Sequence, residues 1–149
     1  MSTMFLVDTN VLVYGYDRSE PEKQRRAIEV FEHLSRSGAG VVSTQVLAEL
    51  YVALQRIVAP LEPDDAVAQV EGVAQAWSAV PVDTDTVLEA MRGARRYQLH
   101  YFDAQIWATA RLNHIPIILT EDLQDGFDAE GVVVLNPFFD TFDMEALRP

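Results

Sequence analysis

Short apolar runs, each closed by polar or acidic residues, alternate along this chain with stretches of helical periodicity, and that alternation restricts the possible folds more than any other feature. Met4 to Val7 ends in Asp8-Thr9-Asn10, the pattern of a buried strand feeding a turn or helix start. Ser19-Glu20-Pro21-Glu22 has the form of a capping box and introduces a helix to about Ser37, which Gly38 and Gly40 break. Val41 and Val42 make a short strand, Ser43 and Thr44 offer caps, and Val46, Leu47, Leu50, Leu54 and Ile57 recur at helical spacing before Pro60. Pro63 opens a helix to about Ser78, Ala79 to Val82 is a brief apolar piece, and Asp83-Thr84 starts the next helix. A helix from Phe102 to about Asn113 leads into the apolar strand Ile115 to Leu119, closed by Thr120-Glu121-Asp122, and Val132 to Leu135 reads as the last strand. Strands alternating with helices predict an α/β fold: a mainly parallel sheet covered on both faces, joined by right-handed crossovers.

Length and composition set the class. With 149 residues, 49% of them hydrophobic, the chain suits one domain over 1–149 with a substantial core. The first apolar run is cut short by Asp8, so neither a signal peptide nor a membrane span is expected, and a soluble, cytoplasmic protein is. Absence of cysteine excludes disulfides, thiolate nucleophiles and zinc-thiolate sites. The net charge of −12, from 23 acids against 11 Lys and Arg, disfavours loose adhesion to nucleic acid or to an anionic membrane, so a polyanion must dock locally. Arg92, Arg95 and Arg96 form the densest basic group, with 92 and 96 on one helix face, and are the candidate phosphate or RNA contacts; an ordinary solvated face has the same pattern.

The acids carry the chemistry. Asp8, Glu49, Asp103 and Asp122 each fall where a strand ends or a helix begins, and in a parallel sheet such positions open onto the carboxyl edge where ligands bind. Alone, Asp8 is equally a helix cap. At about 100° per residue Glu49 lies roughly 60° from Val46, on the rim of the apolar stripe, and no basic residue stands one turn away. Asp103 shares a helix face with Ile106, Trp107 and Ala110; the helix dipole favours an anion there by only about 0.3 to 1 kcal/mol, too little for an unpaired buried charge, so a cation or hydrogen-bond network is implied. Asp125, just before Gly126, fits turn chemistry as well as ligation. Carboxylates brought together need protons or cations between them, and oxygen ligation suits Mg²⁺ or Mn²⁺.

The stretches Phe5-Leu6-Val7-Asp8-Thr9-Asn10-Val11-Leu12, Ser43-Thr44-Gln45-Val46-Leu47-Ala48-Glu49-Leu50, Phe102-Asp103-Ala104 and Leu119-Thr120-Glu121-Asp122-Leu123 closely resemble the conserved segments of PIN-domain ribonucleases, in detail those of VapC-type toxins of bacterial toxin–antitoxin pairs. The resemblance implies five parallel strands in the order 3-2-1-4-5. It implies Asp8, Glu49, Asp103 and Asp122 as metal ligands, Asn10 and Thr120 as polar supports, and Asp125 as a possible further acid. It implies hydrolysis of RNA phosphodiester bonds, a cognate antitoxin and a homodimer.

Other schemes fit less well. No Gly-x-Ser-x-Gly elbow or Gly-rich phosphate loop occurs, and His33, His100 and His114 lack metal-ligand spacing. An aspartyl phosphatase of the haloacid-dehalogenase type has a second Asp where this chain has Asn10. A non-catalytic Mg²⁺-binding switch of receiver type needs a lysine near the last strands, whereas the lone lysine, Lys23, lies in an early helix. A PIN-type nuclease acting on DNA remains an alternative. Tyr14, Tyr16, Tyr51, Phe138, Phe139 and Phe142 suit either partner contacts or core, and Trp77 and Trp107 suit the core.

Overall fold

In the computed structural model, residues 3–148 are described. The strands are β1 (Phe5–Val7), β2 (Gly40–Ser43), β3 (Ser78–Val80), β4 (Ile117–Leu119), β5 (Asp128–Ala129) and β6 (Val132–Leu135). They form one sheet in the order β3-β2-β1-β4-β6-β5. Every pairing is parallel except β5 with β6. With β6 taken as the fifth, the five expected strands stand in the expected order, and the sheet has one strand more than the expected five. That extra strand is two residues long and pairs back on β6 through Glu130 and Gly131, both at positive φ, as a tight hairpin turn demands. So short a piece carries no periodicity to read.

Helices α1 (Thr9–Tyr14), α2 (Pro21–Ser37), α3 (Thr44–Leu54) and α4 (Pro63–Ala76) link strands that step one way across the sheet, whereas α5 (Thr84–Tyr97) and α6 (Tyr101–Leu112) lead back past β1 to β4. Right-handed crossovers therefore put α1 to α4 on one face and α5 with α6 on the other. The packing agrees: α1 packs on both α2 and α3, α3 on α4, and α5 most closely on α6. Phe5, Leu6 and Val7 on β1 and Ile118 and Leu119 on β4 are fully buried, as strands covered on both faces must be.

Local signals are kept with two exceptions. Ser43 caps α3 by accepting from Val46 N, and a capping box forms at Asp83 with Thr86. The box expected at Ser19 does not: Ser19 gives both its backbone N–H and its hydroxyl to Asp17, and α2 starts with Pro21 behind Glu20. The strand expected from Ile115 begins only at Ile117, because Ile115 N turns back to Ala110 O and Pro116 has no N–H to give. Trp77 and Trp107 are core residues, and Tyr51, which continues an apolar stripe, is exposed. Among the described residues no helix is long and apolar enough to cross a membrane.

Candidate active site at the carboxyl edge of the sheet

The register aligns Val7 with Leu119 on the adjacent strand, so the residues that follow, Asp8 and Thr120, leave the sheet side by side. Asp8 caps α1, its Oδ1 accepting from Thr9 N at 2.8 Å. Its Oδ2 accepts from the Thr120 hydroxyl at 2.8 Å and from Asn10 Nδ2 at 3.4 Å. The capping and site roles are thus filled by one carboxylate through its two oxygens. Burial pushes the Asp8 carboxyl up to about 6; the Thr120 hydroxyl and Thr9 N–H oppose this, and the Asp122 and Glu49 charges add to it.

Asn10 is the hub of this corner. Its Nδ2 also reaches Thr120 Oγ1 at 2.9 Å and Asp122 Oδ2 at 3.1 Å, while its Oδ1 accepts from Glu121 N at 3.2 Å. Asp122 N donates to Thr120 Oγ1 at 3.1 Å. Glu49, on α3, accepts at Oε1 from Gln45 Nε2 at 2.6 Å and at Oε2 from the Thr9 hydroxyl at 3.3 Å. Asp103, in the first turn of α6, accepts no hydrogen bond and makes no ion pair among the described residues. Burial raises its pKa, with Asp122 and then Glu49 adding, and His100 lowers it. Asp8 and Asp103 therefore both sense Asp122 and Glu49, acids from distant segments of the chain. As the side chains stand, no three of the Asp, Glu or His groups among the described residues are drawn together tightly enough to hold an ion. The Asn10 amide lies between Asp8 and Asp122 instead, and the Gln45 amide between Glu49 and the Phe102 carbonyl.

A PIN domain family model matches residues 5–129 of the chain. The chain belongs to the PIN domain family. No curated protein matches it. The solved structure of FitAB bound to an IR36 DNA fragment is 20% identical, with a TM-score of 0.69 over 91% of this chain and 96% of that one. A toxin–antitoxin complex from Klebsiella pneumoniae is 20% identical, TM-score 0.64, covering 89% of this chain and 96% of that one. The VapC20 toxin of Mycobacterium tuberculosis, described as cleaving the sarcin–ricin loop, is 18% identical, TM-score 0.56, over 76% and 86%. At these identities the likeness is one of fold.

Within this PIN domain, the remaining sequence candidates are placed as follows. Asp125 is exposed and its Oδ1 accepts from Asn136 N at 2.7 Å, so it pins the segment after β6 and is not bonded to the other acids. Arg92 is engaged: its guanidinium pairs with Glu89 and with Glu130 and lies over the Trp107 ring. Arg95 and Arg96 are exposed and have no ion-pair partner among the described residues. Lys23, remote in sequence, is brought to the strand-end loop, where Nζ meets Glu121 Oε2 at 3.0 Å and the Tyr14 hydroxyl at 3.2 Å. Its charge is committed to Glu121 and not to the acids. Thr9, Gln45 and Glu121 are residues beside the acids that sequence reasoning did not single out, and only Gln45 left a signal, as the residue one turn before Glu49; Tyr14, read from the sequence as a partner contact or core residue, donates to Glu121 Oε1 at 2.6 Å.

Proposed function

We propose that this chain is a divalent-metal-dependent endoribonuclease and the toxin of a toxin–antitoxin pair. The observation that carries the reading is that Asp8 and Asp103 each feel the charges of Glu49 and Asp122 at the carboxyl edge of the sheet, with no Lys or Arg paired to any of the four among the described residues. A buried acid at Asp8 and a partnerless one at Asp103 are costly unless a cation balances them. The donors present are carboxylate oxygens supported by hydroxyls and amides, which is the set that suits Mg²⁺ or Mn²⁺. Asp8, Glu49, Asp103 and Asp122 would hold the ion or ions, and a bound divalent ion supplies an acidified water and a counter-charge for phosphoryl oxygens.

The chain's own groups do the orienting. Thr120 and Asn10 fix Asp8 and Asp122 relative to one another, and Thr9 and Gln45 fix Glu49. Arg95 and Arg96 are candidate cations for substrate phosphates on a chain of net charge −12; Arg18, Arg25, Arg36 and Arg56 are likewise exposed and outside the ion pairs among the described residues. The fold shared with a toxin–antitoxin complex and with a toxin described as cleaving the sarcin–ricin loop supports RNA as substrate and an antitoxin as partner; action in the cytoplasm as a homodimer rests on the sequence resemblance alone.

The test is incubation of the purified chain with RNA and, in parallel, single-stranded DNA, with Mn²⁺ and with chelator. Metal-dependent RNA fragments that vanish in Asp8→Asn and Asp103→Asn are expected. Equal cutting by wild type and both variants overturns the site, and exclusive cutting of DNA overturns the substrate. Co-purification with the product of an adjacent gene and the mass of the isolated chain in solution test the partner and the dimer.

A further inference from the structure

Two pairs of residues one helical turn apart, Gln45 with Glu49 on α3 and Tyr101 with Gln105 on α6, face each other across the site. They form an unbroken chain of hydrogen bonds. The Tyr101 hydroxyl donates to Gln105 Oε1 at 2.7 Å, Gln105 Nε2 donates to Gln45 Oε1 at 2.7 Å, and Gln45 Nε2 donates to Glu49 Oε1 at 2.6 Å. From these bonds the geometry points to Gln45, Gln105 and Tyr101 as positioning residues that hold the Glu49 carboxylate for a divalent cation. The inference rests on the metal-dependent reading above.

The direction of the chain is determined by its surroundings. Gln45 Nε2 faces two groups that only accept, the Glu49 carboxylate and the Phe102 carbonyl at 3.3 Å. Its Oε1 must then face Gln105, which obliges Gln105 to present its own Nε2, leaving Gln105 Oε1 for the one group able to donate, Tyr101. A flip of Gln45 would set its oxygen against both the Glu49 carboxylate and the Phe102 carbonyl, and a flip of Gln105 alone would set its oxygen against Gln45 Oε1. Donors aligned in one sense polarise each other, so the last N–H on Glu49 is stronger than an isolated amide contact.

The chain does three things for a ligand. Glu49 is exposed on the cleft rim, where a glutamate ordinarily samples several rotamers; bonds at Oε1 from Gln45 and at Oε2 from Thr9 select one. Each carboxylate oxygen has two lone pairs, and one hydrogen bond leaves the other for a cation. Since Gln105 is buried within α6, two residues after Asp103, the chain also locks the spacing between the helix bearing Glu49 and the helix bearing Asp103.

The experiment is calorimetric titration of Mn²⁺ into the full chain, wild type and variants, alongside melting in chelator. Gln105→Leu, which touches none of the four acids, is expected to weaken Mn²⁺ binding about 10-fold, in the range found for partners of metal ligands. Gln45→Leu is expected to weaken it at least as much and Tyr101→Phe by less, since the donor then lost is the third hydrogen bond back from Glu49. In a Glu49→Gln background the Gln105→Leu step should have no further effect on affinity, a coupling that a packing role does not produce. Should Gln105→Leu melt early in chelator, Tyr101→Phe, which keeps the ring, carries the same comparison. Unchanged Mn²⁺ affinity in Gln105→Leu and Tyr101→Phe, or full additivity with Glu49→Gln, overturns the proposal while leaving the nuclease reading intact. A wild type that takes up no Mn²⁺ overturns the reading itself.

Discussion

Asn10 and Asp122 stand 112 positions apart in the sequence, yet Asn10 Nδ2 donates to Asp122 Oδ2 at 3.1 Å while the same nitrogen reaches toward Asp8 Oδ2 at 3.4 Å. One neutral amide lies between two carboxylates. It is the nearest thing to a counter-charge that the chain itself supplies at this corner, and its oxygen ties down Glu121 N as well. Replacing Asn10 by Leu removes the screen and leaves those polar groups without partners, so the protein in chelator should lose about 1 to 3 kcal/mol of stability. Saturating Mn²⁺ should restore part of that loss by taking over the screening. Urea midpoints in chelator and in Mn²⁺ check both; a Leu variant as stable as wild type in chelator refutes the screening role.

Asp103 gives the opposite sign. Its carboxylate is half-buried, close to Asp122 and Glu49, and receives no hydrogen bond among the described residues. Asp103→Asn removes the charge at nearly constant volume, so in chelator the variant should melt above wild type, by on the order of 1 kcal/mol. In excess Mn²⁺ the order should reverse, because the wild type gains binding free energy that the variant lacks. Cleavage should be lost in the variant under both conditions. An Asn variant less stable than wild type in chelator contradicts the view that this position is strained by charge.

Asp8 predicts a pH effect. Its folded-state pKa is raised from 3.8 to about 6, chiefly by burial, so the folded protein holds this proton more tightly than the unfolded chain does. The contribution to stability is therefore complete below about pH 4 and disappears as pH rises through about 6, amounting to at most about 3 kcal/mol. Asp103, raised in the same direction, adds to it. Measured in chelator, the stability of wild type minus that of Asp8→Asn should fall between pH 4 and pH 6.5. In saturating Mn²⁺ the same difference should rise over this interval, since the ion binds the ionised form. A flat difference in chelator rules out the protonated, buried Asp8.

Much of this was readable from the chain because strand ends are marked twice, by an apolar run and by the acid that stops it. Asp8 after Val7 and Asp122 after Leu119 are such places, and parallel pairing of the two strands turns them into neighbours. Glu49 and Asp103 were readable from helical phase. What stayed hidden depends on contacts that no local window contains. Lys23 reaches Glu121 only because α2 lies over the strand-end loop, and Arg92 is taken by Glu130 only because the β5–β6 turn comes up against α5. The bridge from Gln105 to Gln45 needs α3 and α6, which flank the site from opposite faces of the sheet, to converge at its edge. The Ser19 cap failed for a local reason instead: Asp17, two residues back, was the nearer acceptor.

Gly93 shows how packing far from the acids still sets their place. On α5 it lies against the face of Trp107, the largest fully buried side chain, and a Cβ at position 93 would run into that indole ring. The ring has little room to yield, since its Nε1 donates to Ala129 O at 3.2 Å and Tyr97 packs edge-on against it at 5.4 Å. Gly93→Ala improves helix propensity by roughly 1 kcal/mol, but overpacking in a close-packed core costs about 1 to 3 kcal/mol, and a rigid backbone-anchored ring puts this site at the upper end. A net loss of about 2 kcal/mol is expected, a fall in melting temperature of roughly 4 to 8 °C for a chain of this size. Because α6 carries Trp107 four residues after Asp103, any outward shift of that helix moves the Asp103 carboxylate away from Asp122 and Glu49. Metal-dependent cleavage per folded molecule should therefore fall too, while Gly72→Ala on α4, where an added Cβ meets nothing within 4 Å, should leave both stability and cleavage at or above wild type. Thermal melts and cleavage rates of the two alanine variants, measured side by side, decide whether α5–α6 contact sets the position of Asp103; equal behaviour of the pair rules it out.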